Sequence, residues 1–249
     1  MLFREYSFLD RFDRAAEAGF EGVEFFFPYG HDPADISAAI SRNNLTLVLF
    51  NLPVGDFDSG ERGFVAVPER AEEFRSGVSD GVRYGKSLSP QKINTPSGPA
   101  PDSAASLDVL VENIDFATVE LERIGVGMVI EPINQSDVPG ALISTTPRAA
   151  ELVERVGRPN LGIQYDVYHS AMAGEDPVQI LGDHLDLIHH IQVGDVPGRH
   201  QPGTGALDFD RIVATVDKHD YDGWVSLEYH PEGATEDSFD YFRDRGLLT

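Results

Sequence analysis

Short apolar segments of β character recur along the chain at residues 22–27, 46–51, 91–95, 127–131, 161–166, 188–193 and 225–228. Between them, apolar positions fall at the 3.6-residue spacing of a helix face, near 8–18, 33–43, 69–87, 103–124, 146–156, 176–185 and 208–218. Regular alternation of strand and helix builds right-handed βαβ units. The pattern therefore predicts a parallel sheet covered by helices, either open and doubly wound or closed into a barrel.

Loop lengths separate these two folds. Connections from helix into strand are short and turn-like, as at Ala18-Gly19-Phe20 and Gly157-Arg158-Pro159-Asn160. Those leaving the strands are long and polar, at 52–68, 96–103, 134–145, 194–207 and 229–238. Long loops gathered beyond the carboxyl ends of parallel strands are the way (β/α) barrels build a site. An open sheet would usually carry a Gly-rich phosphate loop after its first strand, whereas Gly203-Thr204-Gly205 stands late in a loop. The reading is an α/β chain, a (β/α)8 barrel forming one domain over 1–249, that lacks its first strand. Seven strands leave two edges with open backbone groups. The gap should lie between the strands containing Phe25 and Leu227, because residues 2–6 are too short and too close to the first helix to fill it. Either coding sequence upstream of Met1, a covering loop, or a partner subunit in a homo-oligomer is expected there.

Composition narrows the function. Of the 249 residues 41% are apolar, enough for a real core, and there is no Cys, which excludes disulfides, thiolate metal sites and a cysteine nucleophile. No apolar run reaches the ~18 residues of a membrane span, and the start MLFREYSFLDRF has no signal-peptide pattern. A soluble cytoplasmic protein is expected. The net charge is −23, with 42 acidic against 19 basic residues and only three lysines, Lys86, Lys92 and Lys218. Such a field opposes nucleic acid and anionic membrane as partners. Spread along the whole chain, it fits a surface hydrated in the concentrated salt of a halophilic cytoplasm.

Four polar residues end four successive strands: Glu131, Asp166, Gln192 and Glu228, separated by 35, 26 and 36 residues. Each interval is about one βα unit, so in a barrel all four converge over the mouth. Three carboxylates and an amide make an oxygen-only shell, suited to a hard divalent cation, Mg or Mn. Singly, each could cap a helix or bond a loop; it is their common phase that points to a metal. His169, three residues beyond Asp166, is placed on the following loop, facing substrate. His190 shares the strand parity of Gln192 and reads equally as support for that ligand or as a hydrogen-bonded core residue. Arg199 and His200 lie in a long loop, where Arg199 offers a planar fork for a substrate carboxylate. Phe25, Phe26 and Phe27 read as packing of the barrel and its helix layer, and Trp224 as packing at a strand start.

The segments RAAEAGFEGVEFFFPY, LVLFNLPVGDFDSGERG, VIEPIN, YDVYH, HIQVGDVPGRHQPGTGALDF and DGWVSLEYHPEG resemble the hydroxypyruvate isomerases, a branch of the xylose-isomerase-like (β/α) barrels. The resemblance covers nearly the whole chain. It implies a divalent ion at Glu131, Asp166, Gln192 and Glu228, with Glu131 and Glu228 as the acid/base pair, and a small hydroxy- or oxo-acid substrate. It implies interconversion of hydroxypyruvate and tartronate semialdehyde through an enediolate. Readings that stay open are isomerisation of 2-oxo-tetronates, epimerisation of ketoses, metal-dependent phosphodiester cleavage, and an inactive binding protein.

Overall fold

The computed structural model describes residues 1–248. The chain opens in turns and enters helix α1 (Asp10–Glu17), then strand β1 (Gly22–Phe25), α2 (Pro33–Arg42) and β2 (Thr46–Asn51). There follow α3 (Ala71–Leu88), β3 (Lys92–Pro96), α4 (Ala104–Glu122), β4 (Gly127–Glu131), α5 (Thr146–Val156) and β5 (Leu161–Asp166). A short α6 (Val167–Met172) and α7 (Pro177–His184) precede β6 (Ile188–Val193), α8 (Phe209–Lys218), β7 (Val225–Leu227) and α9 (Asp240–Arg243). Helix starts follow from local chemistry. Asp32, Ser103, Asp176 and Asp208 each accept a bond from a free amide of the first turn, and Pro33 and Pro177 enter where no amide is needed.

The seven strands are parallel and ordered β1 to β7 in sequence, each hydrogen-bonded to the next, in a nearly closed barrel. Strand alternation separates two layers. Phe25, Ile93, Met128, Ile130, Tyr165 and Ile191 point outward into the main apolar cluster shared with the helices. The positions between them carry Glu24, Asn94, Glu131, Gln164, Asp166, His190, Gln192 and Ser226 into the barrel. Below these, Val48, Leu49 and Val129 pack with Trp224 as an apolar floor.

Between β1 and β7 the barrel is open, as the strand count predicts. Residues 2–6 form no strand, β1 pairs only with β2, and β7 only with β6. A cavity of about 980 Å³ runs along the gap, lined by Met1, Leu2, Gly22, Glu24, Ser226 and Glu228 among others. Phe3 is buried beside it, its amide donating to Thr235 Oγ1 and its ring packed on Phe20 and Phe239. The Phe25 to Phe27 run divides differently from expectation. Phe25 packs against Phe8, Phe12 and Phe50, but Phe26 and Phe27 meet Phe57 of the loop after β2, and Phe26 stays exposed, because the strand ends at Phe25. Among the described residues no helix is long and apolar enough to cross a membrane.

Candidate active site

Each strand delivers a polar side chain to the mouth of the barrel. Glu131 ends β4 and Asp166 ends β5, Gln192 is the last residue but one of β6, and Glu228 follows β7, its amide bonded to the Val193 carbonyl. All four are buried. Arg199 Nη2 lies 2.7 Å from Asp166 Oδ2 and 3.2 Å from Glu228 Oε2, so those two carboxylates meet around one guanidinium. His169 Nε2 lies 3.8 Å from Glu131 Oε1 and 3.6 Å from Asp166 Oδ2. Asn94 Nδ2 donates to Glu131 Oε2 at 3.1 Å and to Asn51 Oδ1 at 3.2 Å, continuing the polar ring onto β3 and β2.

Burial sets the electrostatics. It pushes the Glu131 carboxyl well above its ordinary range, with the Glu228 and Asp166 carboxylates adding to the effect. Asp166 is pushed up to about 7 by burial, against the opposing pull of Arg199. Glu228 is likewise raised, chiefly by burial. Arg199 itself is stabilised as a cation: burial works against its charge, but Glu228, Asp166 and Glu131 outweigh it. Burial thus favours the protonated form of all three acids, while Arg199 draws Asp166 and Glu228 the other way.

His169 departs from its expected place. It sits on α6, not on a loop, and is buried. The helix begins at once because Asp166 Oδ1 caps it by accepting from the Tyr168 amide, so one carboxylate both ends the strand and starts the helix. Asn134 Oδ1 is committed to the amides of Ser136 and Asp137, which leaves Asn134 Nδ2 as the group 2.7 Å from His169 Nδ1. Nδ1 is therefore the acceptor and Nε2 carries the proton. Burial and Arg199 keep the ring neutral, well below its usual pKa. One ligand atom each from Glu131, Asp166 and His169 lies within 4.8 Å of the others. With Nδ1 held by Asn134, Nε2 is the ring nitrogen that faces Glu131 and Asp166.

Arg199 reaches the centre from the long loop after β6, where the sequence placed it, but its fork engages Asp166 and Glu228. The loop is held by Asp195, whose buried carboxylate accepts from the amides of Val196, Gly203, Gly205 and Leu207. Gly205 is required there, since a Cβ would lie 2.1 Å from the Val196 carbonyl oxygen. The neighbouring His200 does not join the site; its Nδ1 bonds the His230 carbonyl at 2.7 Å and its side chain is about one-third exposed. His190 is fully buried and bonds Glu24 at 2.6 Å. Glu24 was not foreseen. It stands in an apolar strand and accepts from His190 Nε2, from Gln192 Nε2 at 2.7 Å and from Ser226 Oγ at 2.9 Å. Burial works to raise its carboxyl, but His190 and these hydrogen bonds outweigh that and hold it below the ordinary value. The available signal was a lone acid within Gly22-Val23-Glu24-Phe25, in phase with no other charge of its strand.

A parallel barrel with buried acids at its strand ends, one cation among them and long loops above defines a (β/α)-barrel enzyme with its chemistry at the carboxyl-terminal face. The sequence pattern of the xylose isomerase-like TIM barrel family matches residues 12–245, and the chain belongs to that family. Within it the chain is an isomerase similar to hydroxypyruvate isomerase of Escherichia coli (strain K12), at 41% identity over 95% of this chain and 93% of that protein. It is 37% identical to a 2-oxo-tetronate isomerase of Cupriavidus necator, over 94% and 92% of the two chains. A solved structure titled AP endonuclease, family 2, from Brucella melitensis superimposes with a TM-score of 0.94 at 36% identity, over 98% and 95%.

Proposed function

We propose that the chain interconverts hydroxypyruvate and tartronate semialdehyde, with a divalent ion, Mg or Mn, held by Glu131, Asp166, Gln192 and Glu228. The observation that carries this reading is the burial of three carboxylates at strand ends, with Glu131 and Asp166 offering ligand atoms within 4.8 Å of each other and Asp166 and Glu228 sharing one guanidinium. The donors fit a hard cation: they are oxygens alone, and Glu228 Oε2 is buried with no hydrogen bond of its own. When bound, such an ion supplies charge stabilisation to an enediolate. The remaining chemistry belongs to the chain. One of Glu131 and Glu228 takes a proton from one carbon and the other returns a proton to its neighbour, with roles exchanged for the reverse direction. Burial raises the proton affinity of both carboxylates, which suits groups that take up a proton in one direction of the reaction and release it in the other. His169 Nε2–H donates to a substrate oxygen between Glu131 and Asp166, and Arg199 turns its fork to the substrate carboxylate. His200 belongs to the outer rim of that binding loop.

The substrate assignment is tested by turnover of hydroxypyruvate and of a 2-oxo-tetronate with added Mg²⁺ or Mn²⁺. Preference for hydroxypyruvate is expected; preference for the longer acid would move the assignment to the chemistry named for the Cupriavidus relative. Replacing Arg199→Ala should raise KM about tenfold or more, as befits a lost charged hydrogen bond, while kcat changes far less. An equal fall in kcat with KM unchanged would remove Arg199 from substrate binding.

The acidic surface supports a second proposal, adaptation of a cytoplasmic enzyme to concentrated salt. Exposed arginines are already paired with acids, as in Arg42–Asp13, Arg155–Asp108 and Arg245–Asp210, which leaves a large surplus of like charge. Screening relieves that repulsion, so the melting temperature should climb steadily from dilute buffer to molar KCl. A flat or falling thermal-melt series would contradict the adaptation.

A further inference from the structure

Glu24 touches none of the acids at the centre, and the chemistry above makes no use of it. Yet it is the only carboxylate that β1 brings into the barrel, and its side chain crosses the open side to β6 and β7, where its three donors stand. Both of its oxygens are taken by donors, Oε2 by His190 Nε2 and Ser226 Oγ and Oε1 by Gln192 Nε2. A carboxylate occupied in this way accepts at every contact, so the Gln192 amide meets it with its NH₂. The opposite end of that amide, Oε1, accepts from Gln164 Nε2 at 2.7 Å. Gln164 cannot enforce this order, because its own Oε1 has no partner and its amide can be reversed at little cost. Of the two neighbours of the Gln192 amide, Glu24 alone is unable to reverse.

We propose that Glu24 is a positioning residue that fixes the amide of Gln192 with its oxygen turned away from β1, so that the oxygen and not the nitrogen is offered to a divalent cation. This rests on the reading of Gln192 as a ligand given above. A glutamine at position 24 can donate as well as accept, so the three amides at 24, 192 and 164 could run in either direction and present nitrogen to the ion. Groups that orient a metal ligand in this way are typically worth about 10- to 100-fold in affinity.

The test is a double-mutant cycle on Mn²⁺ affinity, read by electron paramagnetic resonance of free Mn²⁺ in the wild-type chain, Glu24→Gln, Gln192→Ala and the double variant, with thermal melts alongside. Glu24→Gln should bind at least about tenfold more weakly, and Gln192→Ala should be weakened as well. The double variant should bind no more weakly than Gln192→Ala alone, because without the amide there is nothing left to orient. Additive losses would show that Glu24 acts by its charge or by tying β1 to β6 and β7, and would overturn the proposal, as would unchanged affinity in Glu24→Gln. Should Glu24→Gln not fold, Glu24→Asp, which keeps the charge but withdraws it from Gln192, replaces it in the same cycle with the same expectations. A wild-type chain that binds no Mn²⁺, or a Gln192→Ala variant with full affinity, would instead overturn the ligand reading itself, and this proposal with it.

Discussion

Glu131→Gln and Glu228→Gln should each lower kcat by roughly 10³-fold while the chain remains folded. The isosteric amide fills the same space but can neither take nor return a proton, and a positioned acid or base is typically worth about 10² to 10⁴ in rate. The loss should fall on kcat and kcat/KM alike, because proton transfer is made in the transition state. That signature separates the two carboxylates from Arg199, whose replacement should show chiefly in KM. Glu131→Gln should melt near or above the wild-type temperature, because burial opposes ionisation of that acid and a neutral amide relieves the cost. Glu228→Gln should melt lower, because it takes from the buried Arg199 one of the two carboxylates paired with it. Steady-state kinetics with circular dichroism melts check both halves. A variant that keeps a tenth or more of wild-type kcat would release that glutamate from proton transfer.

Exhaustive chelation should reduce turnover by a similar factor, roughly 10³-fold, and added Mn²⁺ or Mg²⁺ should restore it. Asp166→Asn should resist restoration at ion concentrations that saturate the wild type. Asp166 is the least exposed of the three acids and also caps α6, so its loss would remove a proposed ligand and loosen the helix that carries His169. Full activity after chelation would leave the carboxylate cluster to act through Arg199 and His169 alone.

Much of this site could be read from the sequence because two periodicities differ. Strands of period two and helices of period 3.6 mark the βα units, and the units in turn space Glu131, Asp166, Gln192 and Glu228 to a common phase. The count of seven strands was legible in the same way, and the open side lies between β1 and β7 as that count implies. What stayed hidden depends on contacts between strands. Asn51, Asn94 and Gln164 are ordinary polar residues until the barrel turns them inward. Glu24 gains its meaning only from His190, Gln192 and Ser226, more than 160 residues away in the chain. Helix α6 is six residues long, too short to show a period, and exists because a site carboxylate caps it. Arg199 could be read as part of the long loop after β6, but its grip on Asp166 and Glu228 follows from a loop shaped by Asp195, whose four backbone bonds no spacing announces.

The most direct test of the central claim is proton NMR of hydroxypyruvate incubated in D₂O with the chain and Mn²⁺-free Mg²⁺ buffer. Expected is the appearance of tartronate semialdehyde, as aldehyde and hydrate, with deuterium entering the carbon that receives the returned proton. Glu131→Gln and Glu228→Gln, run in parallel, should yield almost none. Hydroxypyruvate that persists unchanged in the wild-type reaction, or a product formed equally well by both variants, would contradict a proton-transferring isomerase at these strand ends.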